Sequence, residues 1–170
     1  MVLTKSELIE SLQKEVRILL HLVEKVEPPM VDYRPTPKQR STLELLRYLT
    51  YMGPLCLQAA KAGSFDLGPW KVAQDAAAGR DFDQTVASLR GLSQEYAKLL
   101  TDIADADLRA EMDMFGNKSS KGAFLVNLLI CGHAAYRTQL FLYLKSCGRE
   151  ELSTMNLWAG VDAPAPAVAT

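Results

Sequence analysis

Residues 119–148 read SSKGAFLVNLLICGHAAYRTQLFLYLKSCG, the most apolar stretch of the chain. Leu125, Leu129, His133, Tyr136, Leu140 and then Tyr143 or Leu144 recur at spacings of three and four, one stripe of a 3.6-residue period. The spacing predicts a single long helix. Ser119 and Ser120 are suited to cap its start, because a hydroxyl there accepts from a free first-turn N–H. Gly148 stands where a left-handed residue ends a helix, with Lys145 near the negative end of the dipole. About 28 residues at ~1.5 Å each give roughly 40 Å. Asn127, His133, Arg137 and Gln139 interrupt the run, whereas a membrane span needs about 20 predominantly apolar residues. The stretch therefore reads as a buried helix of a soluble bundle.

The rest of the chain fits around such a helix. Its 170 residues suit one domain, and 48% hydrophobic with 23% charged residues is ordinary for a protein with a sizeable core. Net charge is -1 with no basic block, so nucleic acid has no electrostatic footprint here. The first residues, MVLTKSELIESL, lack the pattern of a signal peptide. Three widely spaced cysteines, Cys56, Cys131 and Cys147, suit reduced thiols that pack between helices. A cytoplasmic protein is expected.

Thr4 to Glu7 has capping-box spacing and opens a helix whose apolar face runs from Leu8 through Leu12, Val16, Leu19 and Val23 to Val26. Pro28 and Pro29 are expected to end it. Residues 30–40, with Pro35 and Pro37, read as extended. Ser41 to Glu44 is a second capping box, followed by Leu45, Tyr48, Leu49, Met52, Cys56 and Ala59 on one face. Pro54 should kink that helix or open it locally, and Gly63 should end it. Residues 65–69 read as a loop and 70–78 as a short helix lying across the bundle. Asp81 to Gln84 starts a third long helix striped by Leu89, Leu92, Tyr96, Leu99, Leu100 and Ile103. Residues 108–114 alternate apolar and polar, the period of an extended piece, with a turn at Gly116-Asn117. After Gly148, Leu152, Leu157 and Trp158 are expected to fold back over the bundle, ahead of a mobile Ala/Pro-rich tail at 162–170. The organisation is all-α, one four-helix-bundle domain over 1–161 with a long connection between the second and third long helices.

Two stretches carry a family resemblance: DYRPTPKQRSTLELLRYL at 32–49, and GHAAYRTQLFLYLKSCG at 132–148 with SSKGAFLVNLL ahead of it. Together they resemble the DinB/YfiT-like four-helix bundles, which have an "R-P…R-S…E-L…H-L" pattern into the second helix. In the fourth helix such proteins carry "H-x-x-x-H-R-G-Q" and then "Y-L-x-x-x-G". Tyr136-Arg137-x-Gln139-Leu140 is the strongest local piece. The resemblance implies an up-down-down-up bundle, and often a homodimer. It also implies a divalent metal, zinc or nickel, held by one histidine of the second helix and two of the fourth, a face shared at i and i+4. Aligned on Arg137 and Gln139, those positions are Tyr48, Gly132 and Tyr136 here. None is histidine, and His133 is one residue off. No metal or other cofactor is therefore expected.

The candidate ligand pocket comprises Tyr48, Tyr51, Met52, His133, Tyr136 and Arg137. His133 reads either as a buried ring bonded to a tyrosine or carbonyl, as a polar group at the bottom of a pocket, or as a metal ligand for which only His21 could be a second imidazole. Tyr48, Tyr51 and Tyr136 read as core aromatics or as a phenol cluster that takes a small polar ligand. Arg137 suits an ion pair or a solvent-facing head, and Gln139 a contact between elements. Three functions follow from the resemblance: a metal-free binder of a small molecule in the bundle centre, a metal-dependent S-transferase or hydrolase, or a non-catalytic homodimeric assembly protein. The first is preferred, with neither nucleic acid nor membrane as partner, because the positions of the metal ligands carry none.

Overall fold

The computed structural model describes residues 3–114 and 116–164. Four long helical elements make the bundle. These are α1 (Lys5–Val23), α2 (Thr42–Ala62), α4 (Phe82–Leu100) and a fourth built from α5 (Lys121–Phe124), a π-helical segment (Leu125–Ile130) and α6 (Cys131–Ser146). Both α4 and the fourth helix pack against α1 and α2. The core runs through Leu12, Leu49, Leu92 and Leu140, all fully buried. No helix among the described residues is long and apolar enough to cross a membrane.

The capping boxes at Thr4/Glu7, Ser41/Glu44 and Asp81/Gln84 all form, each satisfying two backbone donors that a helix start leaves free. Helix α1 stops earlier than its apolar pattern, at Val23. A residue before proline is driven out of the helical region, and Glu27 sits at φ -101°, ψ 158°, so the chain unwinds ahead of Pro28. Residues 30–40 are turns rather than an extended run. The carbonyls of Val31 and Tyr33 bend back to accept from Leu43 and Thr42, two N–H groups at the start of α2. Helix α2 continues through Pro54 and ends on Gly63 at φ 75°. The short helix α3 (Leu67–Ala78) begins earlier than expected, capped by Asp66, because Pro69 falls in the first turn, where its missing N–H costs nothing.

The alternating residues 111–114 form strand β1 (Glu111–Met114). It pairs antiparallel with β2 (Asn117–Ser120), with Glu111 opposite Ser120 and Met114 opposite Asn117. The second strand was not expected: Ser119 and Ser120 pair in the hairpin, and Ser120 also caps α5. The fourth helix therefore starts at Lys121.

The π segment is the main departure within that helix. A π-turn holds more residues than an α-turn, so everything after it is rotated back relative to an unbroken α-helix. The buried stripe becomes Leu125, Leu129, His133, Arg137, Leu140 and Leu144. Arg137 enters the core and Tyr136 moves to the rim.

Beyond Gly148, α7 (Thr154–Trp158) packs on α1 and α6. Leu152 and Asn156 are buried, whereas Trp158 is 63% exposed. Gly160 lies so close to α1 that a Cβ there would sit 3.1 Å from the Ile18 Cα. Asp162 pairs with Lys25 at 2.8 Å. Within the tail expected to be mobile, 165–170 lie outside the described residues.

One close approach in the core gives a testable result. A Cβ at Gly53 would stand 1.9 Å from the Tyr96 hydroxyl, so Gly53→Ala must displace that ring. Overpacking of this kind costs about 1–3 kcal/mol. Gly91 is exposed in α4 with nothing within 4 Å of a built Cβ, so Gly91→Ala should stabilise by about 0.5–1 kcal/mol. Urea unfolding should move in opposite directions for the two variants.

Candidate functional site

Between α2 and the fourth helix lies a cavity of about 490 Å³. Helix α2 contributes Tyr48, Met52 and Cys56. The fourth helix contributes Asn127 and Leu128 from the π segment, and Gly132 and Tyr136 from α6. Phe65 and Trp70 close the side, from the loop into α3 and from α3 itself. Volume and apolar lining are those of a small-molecule site. Gly132 keeps the wall low: a Cβ there would meet the Met52 Cε at 3.4 Å.

Aromatic rings meet edge to face around this space. Tyr48 is 5.0 Å from Tyr136, 5.5 Å from Tyr51 and 6.0 Å from Trp70, centroid to centroid. Trp70 is 5.4 Å from Tyr51, edge to face, and 5.4 Å from Phe65, tilted at 49°. Burial pushes the Tyr48 phenol well above its ordinary range, and the Tyr136 hydroxyl beside it adds to that. Tyr51 is raised less, again by burial. Tyr48 also lines a smaller cavity of about 280 Å³, together with Tyr51, Arg40, Glu44 and Arg47 among others.

Of the six residues expected in one pocket, the structure brings Tyr48, Met52 and Tyr136 together in the large cavity. Tyr51 belongs to the adjoining one. His133 and Arg137 line neither, because the rotation after the π segment turns both into the bundle. His133 is 1% exposed, and its Nε2 lies 2.6 Å from the Tyr96 hydroxyl. Burial holds Tyr96 as a phenol, and the hydroxyl and that nitrogen share one hydrogen bond whose direction follows the imidazole tautomer. That Nδ1 has no hydrogen-bond partner among the described residues. Burial, reinforced by the Arg137 cation, pushes the imidazole down to about 4, so the ring is neutral.

Arg137 is 3% exposed, and its Nε donates to the Glu15 carboxylate at 2.6 Å. Its Nη1 donates to the Leu157 carbonyl, and the guanidinium lies 5.1 Å from the Trp158 ring centroid. It ties α6 to α1 and to the C-terminal segment. Gln139 donates to the Tyr143 hydroxyl, which donates to the Arg40 carbonyl, so it supports the loop into α2. His21 is half-buried against Asn156 at 3.0 Å, far in sequence and role from His133.

Sequence reasoning missed Phe65 and Trp70 as parts of the cavity wall. Their positions depend on how α3 and the loop ahead of it fold against α2, and no periodicity reports that. Glu15 was legible in principle. It follows Leu12 by three residues on the apolar face of α1, an unusual place for a lone carboxylate.

The positions assigned to histidine ligands by the family resemblance are Tyr48, Gly132 and Tyr136, and all three line the large cavity. Their chemistry does not fit zinc or nickel. The Tyr48 phenol keeps its proton, Gly132 has no donor, and burial pushes the nearby Cys56 thiol up to about 12. Among the described residues no three His, Cys, Asp or Glu side chains gather to hold an ion.

No family model matches the chain, and no curated protein matches it in sequence. In three dimensions it is similar to the crystal structure of YjoA, a DinB-like protein from Bacillus subtilis. The TM-score is 0.67 at 18% identity, over 86% of this chain and 94% of that one. The chain has the DinB-like helical-bundle fold.

Proposed function

We propose that this chain, with its DinB-like fold, is a metal-free member of that family that binds a small, largely apolar molecule in the cavity between α2 and the fourth helix. One observation carries the reading. The three positions at which relatives place metal-binding histidines, here Tyr48, Gly132 and Tyr136, enclose an aromatic-walled space of ligand size. What a metal would have occupied is available to an organic ligand, and rings meeting edge to face give it apolar area with few polar demands. The site lies to one side of the bundle centre, since the centre is filled by Tyr96 and His133.

Blocking the cavity tests this. A leucine at Gly132 would project into it past the flexible Met52 terminus. The wild-type protein should bind 2-naphthamide, a neutral flat probe, in calorimetric titration. Gly132→Leu should weaken that binding at least tenfold while keeping the helical circular dichroism signal. Equal binding by both proteins would place the probe elsewhere and sink the reading. One equivalent of zinc or nickel on untagged wild-type protein would do the same.

A further inference from the structure

We infer that the site is bipartite: the large aromatic cavity takes the flat apolar body of a carboxylic acid, and Arg40, against the Tyr48 ring that both cavities share, takes its carboxylate. This rests on the proposed binding function and specifies its ligand class. The two cavities share Tyr48, one apolar and the other lined by Arg40 and Arg47. The Arg40 guanidinium carbon lies 4.2 Å from the Tyr48 ring centroid. A guanidinium carries a planar fork of N–H donors, whose edge matches a carboxylate bidentately.

That edge has no carboxylate among the described residues. Arg40 forms no ion pair, whereas Glu44, the carboxylate on the same wall, is held by the Ser41 N–H at 2.8 Å and by Arg34 at 3.2 Å. Arg47 is committed to the Arg80 carbonyl, with Nε at 2.7 Å, and Arg80 to Thr50 at 3.0 Å. None of these cations pairs with an acid except Arg34. A cationic ligand, the usual guest of an aromatic cage, is disfavoured. One face of Tyr48 already carries Arg40, and no acidic side chain lines the large cavity.

Paired probes separate this inference from the reading beneath it. The wild-type protein should bind 2-naphthoate at least tenfold more tightly than 2-naphthamide at low ionic strength, with the preference shrinking in 0.5 M salt. Arg40→Gln, at an exposed position, should bring naphthoate down to the naphthamide level and leave naphthamide unchanged. Arg40→Lys, which keeps the charge without the planar fork, should fall between. Gly132→Leu should weaken both probes. Equal wild-type binding of the two, or a preference that survives Arg40→Gln, overturns the carboxylate subsite and leaves the cavity reading standing. Naphthoate binding untouched by Gly132→Leu shows an anion held at the surface alone and overturns the bipartite site. No binding of either probe overturns both proposals.

Discussion

Replacing Glu15 by alanine is expected to destabilise the protein by about 3–5 kcal/mol, read from the denaturant midpoint. The size follows from what is left behind. Arg137 is 3% exposed, and without Glu15 its cation would be buried with only the Leu157 carbonyl and the Trp158 ring as company. Removing one partner of a buried ion pair is costly because the survivor remains desolvated and unpaired. Arg137→Met should cost less than Glu15→Ala. Glu15 is 9% exposed and nearer the surface, so water can reach its carboxylate more readily. The double replacement Glu15→Leu with Arg137→Met should recover most of the loss, since an apolar pair avoids desolvating two charges. It still leaves the Leu157 carbonyl without its donor, a cost of about 1 kcal/mol. If the double variant is as unstable as the sum of the singles, the pair is not coupled and the account fails.

His133 is expected to make the protein acid-sensitive. In the folded state burial and the Arg137 cation hold the ring at about 4, below its ordinary 6.5. As pH falls below about 6.5, the unfolded chain takes up this proton before the folded one does. The contribution of His133 to stability is therefore complete above pH 6.5 and lost progressively toward pH 4, about 3 kcal/mol in all. His133→Gln keeps a polar group near Tyr96 but cannot titrate. The difference in unfolding free energy between wild type and variant should narrow over this pH window. Parallel curves would show that the ring is not held neutral. The Tyr96 bond matters to the same balance, because a phenol at 2.6 Å from Nε2 gives that one nitrogen of the buried ring a partner.

Much of the site stands on residues whose types were informative but whose directions were not. The tyrosines of α2 and α6 meet, with the Tyr48 and Tyr136 rings 5.0 Å apart. His133 and Arg137 were placed with them because an unbroken 3.6-residue period puts 133 and 136 on one stripe and leaves 137 beside it. Six residues of π-helix reverse that order. The π segment also supplies part of the cavity wall through Asn127 and Leu128, so one local irregularity both shapes the site and removes two expected residues from it.

The starts of α1, α2 and α4, the C-terminal stop of α2 at Gly63 and the all-α bundle were determined by sequence alone. They depend on short-range chemistry: a capping side chain three residues from its donor, a glycine at positive φ, and an apolar period. Tertiary structure alone decided which faces meet. The rotation introduced by the π segment, the pairing of Glu15 with Arg137 across 122 residues, the approach of Tyr96 to His133 past Gly53, and the closing of the cavity by Phe65 and Trp70 are all long-range. Each is set by the packing of one element on another, where shifting a helix by part of a turn changes which side chain is buried without altering the pattern that made it a helix.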